Sequence, residues 1–242
     1  MSSAGEPRGR VEGSTAGRRR DRLKQMAAER ALELVADGMS IGIGTGTTAR
    51  YFIEGLGRLV AGGMRLRGLP TSERSAQLAR AARVPLLDDL DGQLDLAVDG
   101  ADEISPDLDL IKGRGGALLR EKLVATAARR FVVIADDSKL VAQLGMGVLP
   151  VEVVPFLWHL TAARLTRMGL RWELRGGVQH PFVTDNANLI LDVTPEGGIR
   201  DPRGLASELE AQLGVVEHGL FLGIARGCVI AGEEGIRILG HP

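Results

Sequence analysis

Short apolar segments that alternate with amphipathic ones restrict the fold of this chain more than any other feature. Ile41–Gly44, Leu66–Leu69, Leu94–Val98 and Phe131–Ala135 are apolar runs of strand length. Thr47–Leu59, Ser72–Arg83 and Ala117–Arg130 fall between them and repeat apolar residues at helical spacing. Leu23, Met26, Ala27, Leu32 and Val35 predict an earlier helix that ends near Gly38. Strands separated by helices cannot pair as tight hairpins. The chain crosses back over the sheet each time, and neighbouring strands run parallel. The first half is therefore predicted to be α/β, a mostly parallel sheet with flanking helices. In such sheets ligands bind beyond the carboxyl ends of the strands, so chemistry is expected there.

The rhythm changes near Pro150. Val151–Val154 reads as a strand, Phe156–Met168 as a helix and Leu170–Leu174 as a strand. Val183–Thr184 and Leu189–Val193 read as arms of a hairpin around Asp185–Asn188, followed by a helix over Leu205–Leu213 and a strand over Val215–Leu222. This β-α-β-β-α-β order is the split βαβ arrangement of a small α+β domain. The expected division is 150–225 for the small domain, and 21–149 with 226–242 for the large one. Cys228–Ala231 and Ile236–Leu239 would return to the first sheet. Residues 1–20 are rich in Ser, Gly and Arg, include the run Arg18-Arg19-Arg20, and are expected to form a disordered basic tail.

Composition removes several function classes. The 242 residues carry 30 Lys and Arg against 31 Asp and Glu, a net charge of -1, and 3% are aromatic. Neither the positive surplus nor the stacking platforms of a nucleic-acid binder are present. Cys228 is the single cysteine, which excludes an internal disulfide and any site of several thiolates. His159, His180, His218 and His241 show no H-x-x-x-H spacing. No apolar run approaches the ~18 residues of a membrane span, and the amino terminus lacks the apolar core of a secretion signal, so the cytoplasm is the expected compartment.

Four segments at predicted strand ends carry chemistry. Gly42-Ile43-Gly44-Thr45-Gly46-Thr47-Thr48-Ala49 joins a strand to a helix. Its glycines let backbone approach a ligand, and the helix start offers free N–H groups to an anion. Gly44, Gly46 and Ala49 also fit G-x-G-x-x-A, but no acid follows the next strand as dinucleotide binding requires, and the Walker pattern is absent. A plain threonine-capped turn is the bland alternative. Thr71-Ser72-Glu73-Arg74-Ser75 is an N-cap that could supply further donors for sugar hydroxyls. Val98-Asp99-Gly100-Ala101-Asp102-Glu103 crowds three acids at the end of a buried strand, a costly placement that suits proton handling or hydroxyl recognition. A magnesium site or a solvated turn are the alternatives. Lys112-Gly113-Arg114-Gly115-Gly116 opens a helix that carries Glu121, with Lys112 able to neutralise an oxyanion or a phosphate. Taken alone, Glu121 is an ordinary solvated helix residue. Beside the other three segments it completes a site for acid–base work on a phosphorylated polyol.

The stretches GIGTGTTA, TSERS, VDGADE and KGRGGALLREK, with PVEVVPF and FVTDNANLILDV further on, resemble the type A ribose-5-phosphate isomerase family from about Asp21 to Leu239. The resemblance implies a sugar-isomerase and CoA-transferase-like large domain and interconversion of D-ribose 5-phosphate and D-ribulose 5-phosphate in the pentose phosphate pathway. It implies no metal or other cofactor, and a homodimer or homotetramer. By match of position, Glu121 is the base between C2 and C1, Asp99 the acid of ring opening with Asp102 beside it, and Lys112 the cation at the enediolate. Thr45, Gly46, Thr47 and Thr48 match the substrate-binding turn, and Lys24 and Lys139 match further substrate contacts. Gly100, Ala101, Gly113, Arg114 and Gly115 complete the implied binding set. Arg114 stands where the family's loop often has glycine. A sugar-phosphate sensor would not need Glu121, an amino-sugar phosphate deaminase would want a histidine near these motifs, and an NAD-linked enzyme would change nicotinamide absorbance.

Overall fold

The structure, a computed structural model, describes residues 15–242; the first 14 residues of the expected tail lie outside the described residues. Helix α1 (Thr15–Leu32) begins inside the segment expected to be a disordered tail, so Arg18–Arg20 are helical. Residues 15–20 hold no proline, and the helix set by the apolar face that starts at Leu23 propagates back through them despite Gly17.

Strands β1 (Ser40–Ile43), β2 (Arg67–Pro70) and β3 (Leu96–Asp99) alternate with helices α2 (Thr47–Ala61) and α3 (Glu73–Ala81). Two short strands, β4 (Glu103–Ile104) and β5 (Leu110–Ile111), precede helix α4 (Leu118–Thr126) and strand β6 (Phe131–Asp136). At the far end of the chain β12 (Gly227–Gly232) and β13 (Gly235–Gly240) form a hairpin. The large sheet has the order β13-β12-β6-β3-β1-β2. All its pairs are parallel except β12 with β13.

Parallel strands covered on both faces read as continuous apolar runs, and β3 and β6 are buried at every residue. Val98, Val132 and Ile134 face a core with Ala27, Ala31, Phe52 and Ile53 of α1 and α2. Ala97, Val133 and Ala135 face the opposite core, where α4 contributes Val124 and Ala125. Gly42 lets α4 come this close to β1, because a Cβ there would lie 2.4 Å from a Val124 methyl. α4 stops at Thr126 and not at Arg130, since the Ala127–Arg129 backbone hydrogen-bonds to Leu94.

Strands β7 (Leu149–Val153), β8 (Arg171–Leu174), β9 (Leu189–Thr194) and β10 (Val215–His218), with α5 (Trp158–Arg167) and α6 (Pro202–Glu210), form an antiparallel sheet of order β10-β7-β9-β8. Its core joins Val151, Val153 and Leu191 to Ala162, Leu165 and Leu209 of the helices. The expected hairpin at Val183 is reduced to one isolated bridge to Leu189.

The strand expected over Val215–Leu222 is split at Gly219. Its second part, β11 (Leu220–Phe221), joins a separate sheet of order β11-β5-β4 that carries no periodicity long enough to read. Gly219 donates to the Pro150 carbonyl and accepts from Lys112 N–H (2.9 Å), and a Cβ there would strike the Lys112 carbonyl at 2.3 Å. This crossing of sheets places Lys112. No described helix is long and apolar enough to cross a membrane.

Candidate active site

The threonine turn leaves β1 where its ladder with β3 ends, Gly44 N–H donating to the Val98 carbonyl. A Cβ at Gly44 would sit 2.1 Å from Asp99 Oδ1, so glycine is what lets the acid lie against the turn. Gly46 caps α2 with φ of 122°, a conformation L side chains rarely adopt. Thr47 and Thr48 open α2 at the positive end of its dipole. Lys24, from α1, donates to Thr47 Oγ1 at 2.9 Å.

TSERS does not supply donors to the cleft. Thr71, Ser72 and Ser75 are buried, and their hydroxyls lie 2.8, 2.7 and 3.0 Å from Thr45 Oγ1. Ser72 also caps α3 by accepting Ser75 N–H. The segment is a buried hydroxyl bed that fixes Thr45, because a hydroxyl removed from water needs a partner and these four provide one another.

The three acids of VDGADE diverge. Asp99, 3% exposed, accepts from Thr45 N–H (3.0 Å) and Gly100 N–H (2.7 Å) through Oδ1. Its Oδ2 is 2.9 Å from Lys112 Nζ. Asp102 accepts Arg114 N–H at 3.0 Å and lines the cleft. Glu103 turns away and takes the N–H groups of Gly145 and Gly147, each at 2.7 Å, and the Arg114 guanidinium at 2.9 Å.

Arg114, one of the expected binding residues, is not among the residues that line the cleft. Its backbone closes the loop but its side chain leaves the cleft, drawn by the buried Glu103 carboxylate into space that Gly147 leaves open. Asp99 lies at the floor, not among the lining residues. The other expected residues come together. Lys24, Thr45–Thr48, Gly100–Asp102, Lys112, Gly113, Gly115, Glu121 and Lys139 line one cavity of about 120 Å³. Lys139 sits in a 3-10 turn (Asp137–Lys139) after β6, capped by Asp136.

At the floor, Lys112 Nζ donates to the Gly100 carbonyl (2.5 Å) and lies 3.5 Å from Glu121 Oε2. Lys112 is the one side chain that pairs with both Asp99 Oδ2 and Glu121 Oε2. Burial pushes Glu121 up to about 8; Lys112 opposes the rise, while Asp99 and Asp102 add to it. Burial likewise raises Asp99 against the pull of Lys112. Burial alone would lower Lys112, but Asp99 and then Glu121 outweigh it and hold the ammonium charged. One buried cation therefore serves two carboxylates, and one of them is kept ready to take a proton.

Sequence reasoning missed the supports of this site: Glu103 under Arg114, the hydroxyl bed, and Arg175 of β9's neighbour strand end, whose Nη1 donates to the Gly113 and Arg114 carbonyls at 3.2 Å each. The hydroxyl run 71–75 and the third acid of VDGADE carried a signal, but Arg175 carried none. His218, the one buried histidine, is pushed down to about 3 by burial, accepts Leu220 N–H, and does not line the cleft.

A mostly parallel α/β sheet that ends in a glycine- and threonine-rich turn at a helix start, with a carboxylate and a lysine buried beneath it, is an arrangement suited to an enzyme acting on a small anionic metabolite. The family model described as ribose 5-phosphate isomerase A (phosphoriboisomerase A) matches residues 67–235. Ribose-5-phosphate isomerase A of Bradyrhizobium diazoefficiens is 51% identical over 233 residues, which cover 90% of this chain and 95% of that protein. A structure of D-ribose-5-phosphate isomerase in complex with phospho-erythronic acid superposes with a TM-score of 0.87 at 39% identity, covering 92% of this chain and 99% of that one. Ribose 5-phosphate isomerase A of Methanocaldococcus jannaschii gives 0.86 at 38% identity, with 91% and 99% covered. The chain belongs to the ribose 5-phosphate isomerase A family.

Proposed function

We propose that Glu121 is the base that carries a proton between C2 and C1 of a five-carbon sugar phosphate. As a member of its family the chain is an aldose–ketose isomerase that interconverts D-ribose 5-phosphate and D-ribulose 5-phosphate. The phosphate is read at the start of α2, with Lys24 and Lys139 on the rim, so the anionic end is held away from the reacting carbons. Ring opening needs a proton to leave the anomeric hydroxyl and another to reach the ring oxygen as the C1–O4 bond breaks. We assign that traffic to Asp102 on the wall and Asp99 at the floor. Glu121 carboxylate then takes the C2 proton, the electron pair moves onto the carbonyl oxygen, and Lys112 neutralises the enediolate. Passage of the O2 hydroxyl proton to O1, with return of the carbon-bound proton from Glu121 to C1, gives the ketose. The base ends as it began, so the chemistry needs no metal or organic cofactor.

The observation that carries this reading is a glutamate 4% exposed, in a cleft, 3.5 Å from a buried ammonium, opposite a helix start. A sensor of the same fold gains nothing from that costly burial. The test is an isomerase assay of wild type beside Glu121→Gln, with chelator present. Turnover is expected to fall ~10²–10⁴-fold in the variant, and near-normal ketose formation would remove Glu121 as the base. We further read 21–149 with 226–242 as one domain and 150–225 as a second, the assembly as a homodimer or homotetramer, and the compartment as cytoplasmic.

A further inference from the structure

The turn Thr184–Asn188, part of FVTDNANLILDV, has no place in the reaction derived above, yet it fastens to β7, to the start of α3 and to the helix that carries Glu121. On its inner side Thr184 Oγ1 and Asn188 Nδ2 donate to Glu152 Oε1 at 2.9 and 3.0 Å. Glu152 lies in the middle of β7, is fully buried, and has a second oxygen with no hydrogen-bond partner. The turn supplies every hydrogen bond that this carboxylate receives, so its shape is tied to β7. On the outer side Asp185 Oδ2 accepts the N–H of Glu73, the first residue of α3, next to the Ser72 hydroxyl that supports Thr45. Asn186 Oδ1 accepts from Arg120 Nε at 2.9 Å, and the Asp185 carbonyl accepts from Arg120 Nη2 at 3.1 Å. Arg120 Nη1 closes the ring by donating to Glu73 Oε1 at 3.1 Å.

Arg120 is the residue before Glu121. One turn of the antiparallel sheet thus grips the start of α3, which carries the bed of the threonine turn, and the start of α4, which carries the base. We propose that Asn186 and Arg120 are positioning residues for the isomerisation, holding Glu121 at its working distance from the threonine turn through the Glu152-anchored loop. Neither lines the cleft. The inference rests on the reading of Glu121 as base. It follows from the sensitivity of proton transfer to placement, where a misplacement of ~1 Å can cost ~10²-fold.

The test compares Arg120→Met, Arg120→Lys, Asn186→Ala and the Arg120→Met/Asn186→Ala double variant with wild type and Glu121→Gln. Assays use ribose 5-phosphate well below each melting temperature. Each of Arg120→Met and Asn186→Ala is expected to lower kcat ~10–100-fold with KM within ~3-fold. Arg120→Met removes the bonds to Asn186, Asp185 and Glu73 together, and Asn186→Ala removes the shared one and a 3.5 Å bond to Glu152, so the loss in the double variant should fall well short of the product of the two single losses. Arg120→Lys, which keeps the charge and loses the planar fork, should lie between Arg120→Met and wild type. A kcat within two-fold of wild type in the singles, a loss confined to KM, or multiplying losses in the double variant each overturn the proposal. If Asn186→Ala does not fold, the contrast of Met and Lys at the partly exposed Arg120 decides alone. Inactive Glu121→Gln beside fully active Arg120→Met sinks only the positioning role, whereas active Glu121→Gln sinks the base itself.

Discussion

Glu121 Oε2 and Lys112 Nζ stand 3.5 Å apart with both side chains 3% exposed, and the same ammonium is 2.9 Å from Asp99. Two carboxylates share one cation at the nearly water-shielded floor of the cleft. Such a cluster titrates as a unit, and its behaviour with pH is the most direct readout of the site.

Glu121 works as its carboxylate, and burial has pushed it up to about 8. The rate kcat/KM is therefore expected to rise with pH along an acid limb whose midpoint lies well above the ordinary glutamate range, toward 8. A pH series of initial rates checks this. A limb that is complete by pH 5 would show that Glu121 is not held protonated in the free enzyme.

The same burial has a stability consequence of definite sign. A carboxyl whose folded pKa is raised contributes most below its unfolded value, and that contribution is lost as pH rises through the folded value. Glu121→Gln keeps the shape and removes the charge. Its melting temperature should exceed that of wild type by a few degrees at pH 8–9, and the gap should close near pH 4. Thermal unfolding at both pH values measures it.

Lys112→Met leaves Asp99 and Glu121 buried without their cation. Removing one partner of a buried ion pair typically costs ~3–5 kcal/mol. The loss should be largest above pH 8, where both acids are pressed to ionise, and smaller at pH 5, where protonation relieves them. Denaturant titrations at the two pH values separate this from a simple packing defect, which would cost the same at both.

Gly44→Ala puts a methyl 2.1 Å from Asp99 Oδ1, inside contact distance. Either the turn or the acid moves. We expect ~1–3 kcal/mol of destabilisation together with a clear fall in kcat/KM, read from unfolding curves and from kinetics on one preparation.

Arg114→Ala separates the sequence expectation from the structure. A substrate contact would raise KM sharply. The observed partner is Glu103, which keeps its bonds to Gly145 and Gly147 when the guanidinium is removed. KM should change less than ~3-fold, while stability falls by ~1–3 kcal/mol, the usual cost of a lost hydrogen bond to a charged group.

Much of this was legible in the chain. Runs such as Leu94–Val98 and Phe131–Ala135 declared a mostly parallel sheet with flanking helices, and the acids and glycines at strand ends marked the cleft. The antiparallel unit announced itself through β7-α5-β8-β9-α6-β10. The sheet β11-β5-β4 did not, because two-residue strands have no period to read. Helix α1 was placed too late, since an arginine run on an exposed turn resembles a solvated tail until a helix behind it supplies the axis.

What the sequence settled by itself is therefore which residue types meet: a threonine turn, an acid, a lysine and a glutamate at one sheet edge. Local pattern suffices there because strand ends and helix starts fix their own geometry. Which way each charge points was decided only by tertiary structure. Arg114 turns to Glu103, Asp99 sinks beneath Lys112, and Thr71, Ser72 and Ser75 close on Thr45, because a buried polar group takes the nearest partner in space, and that partner lies 11 to 30 residues away along the chain.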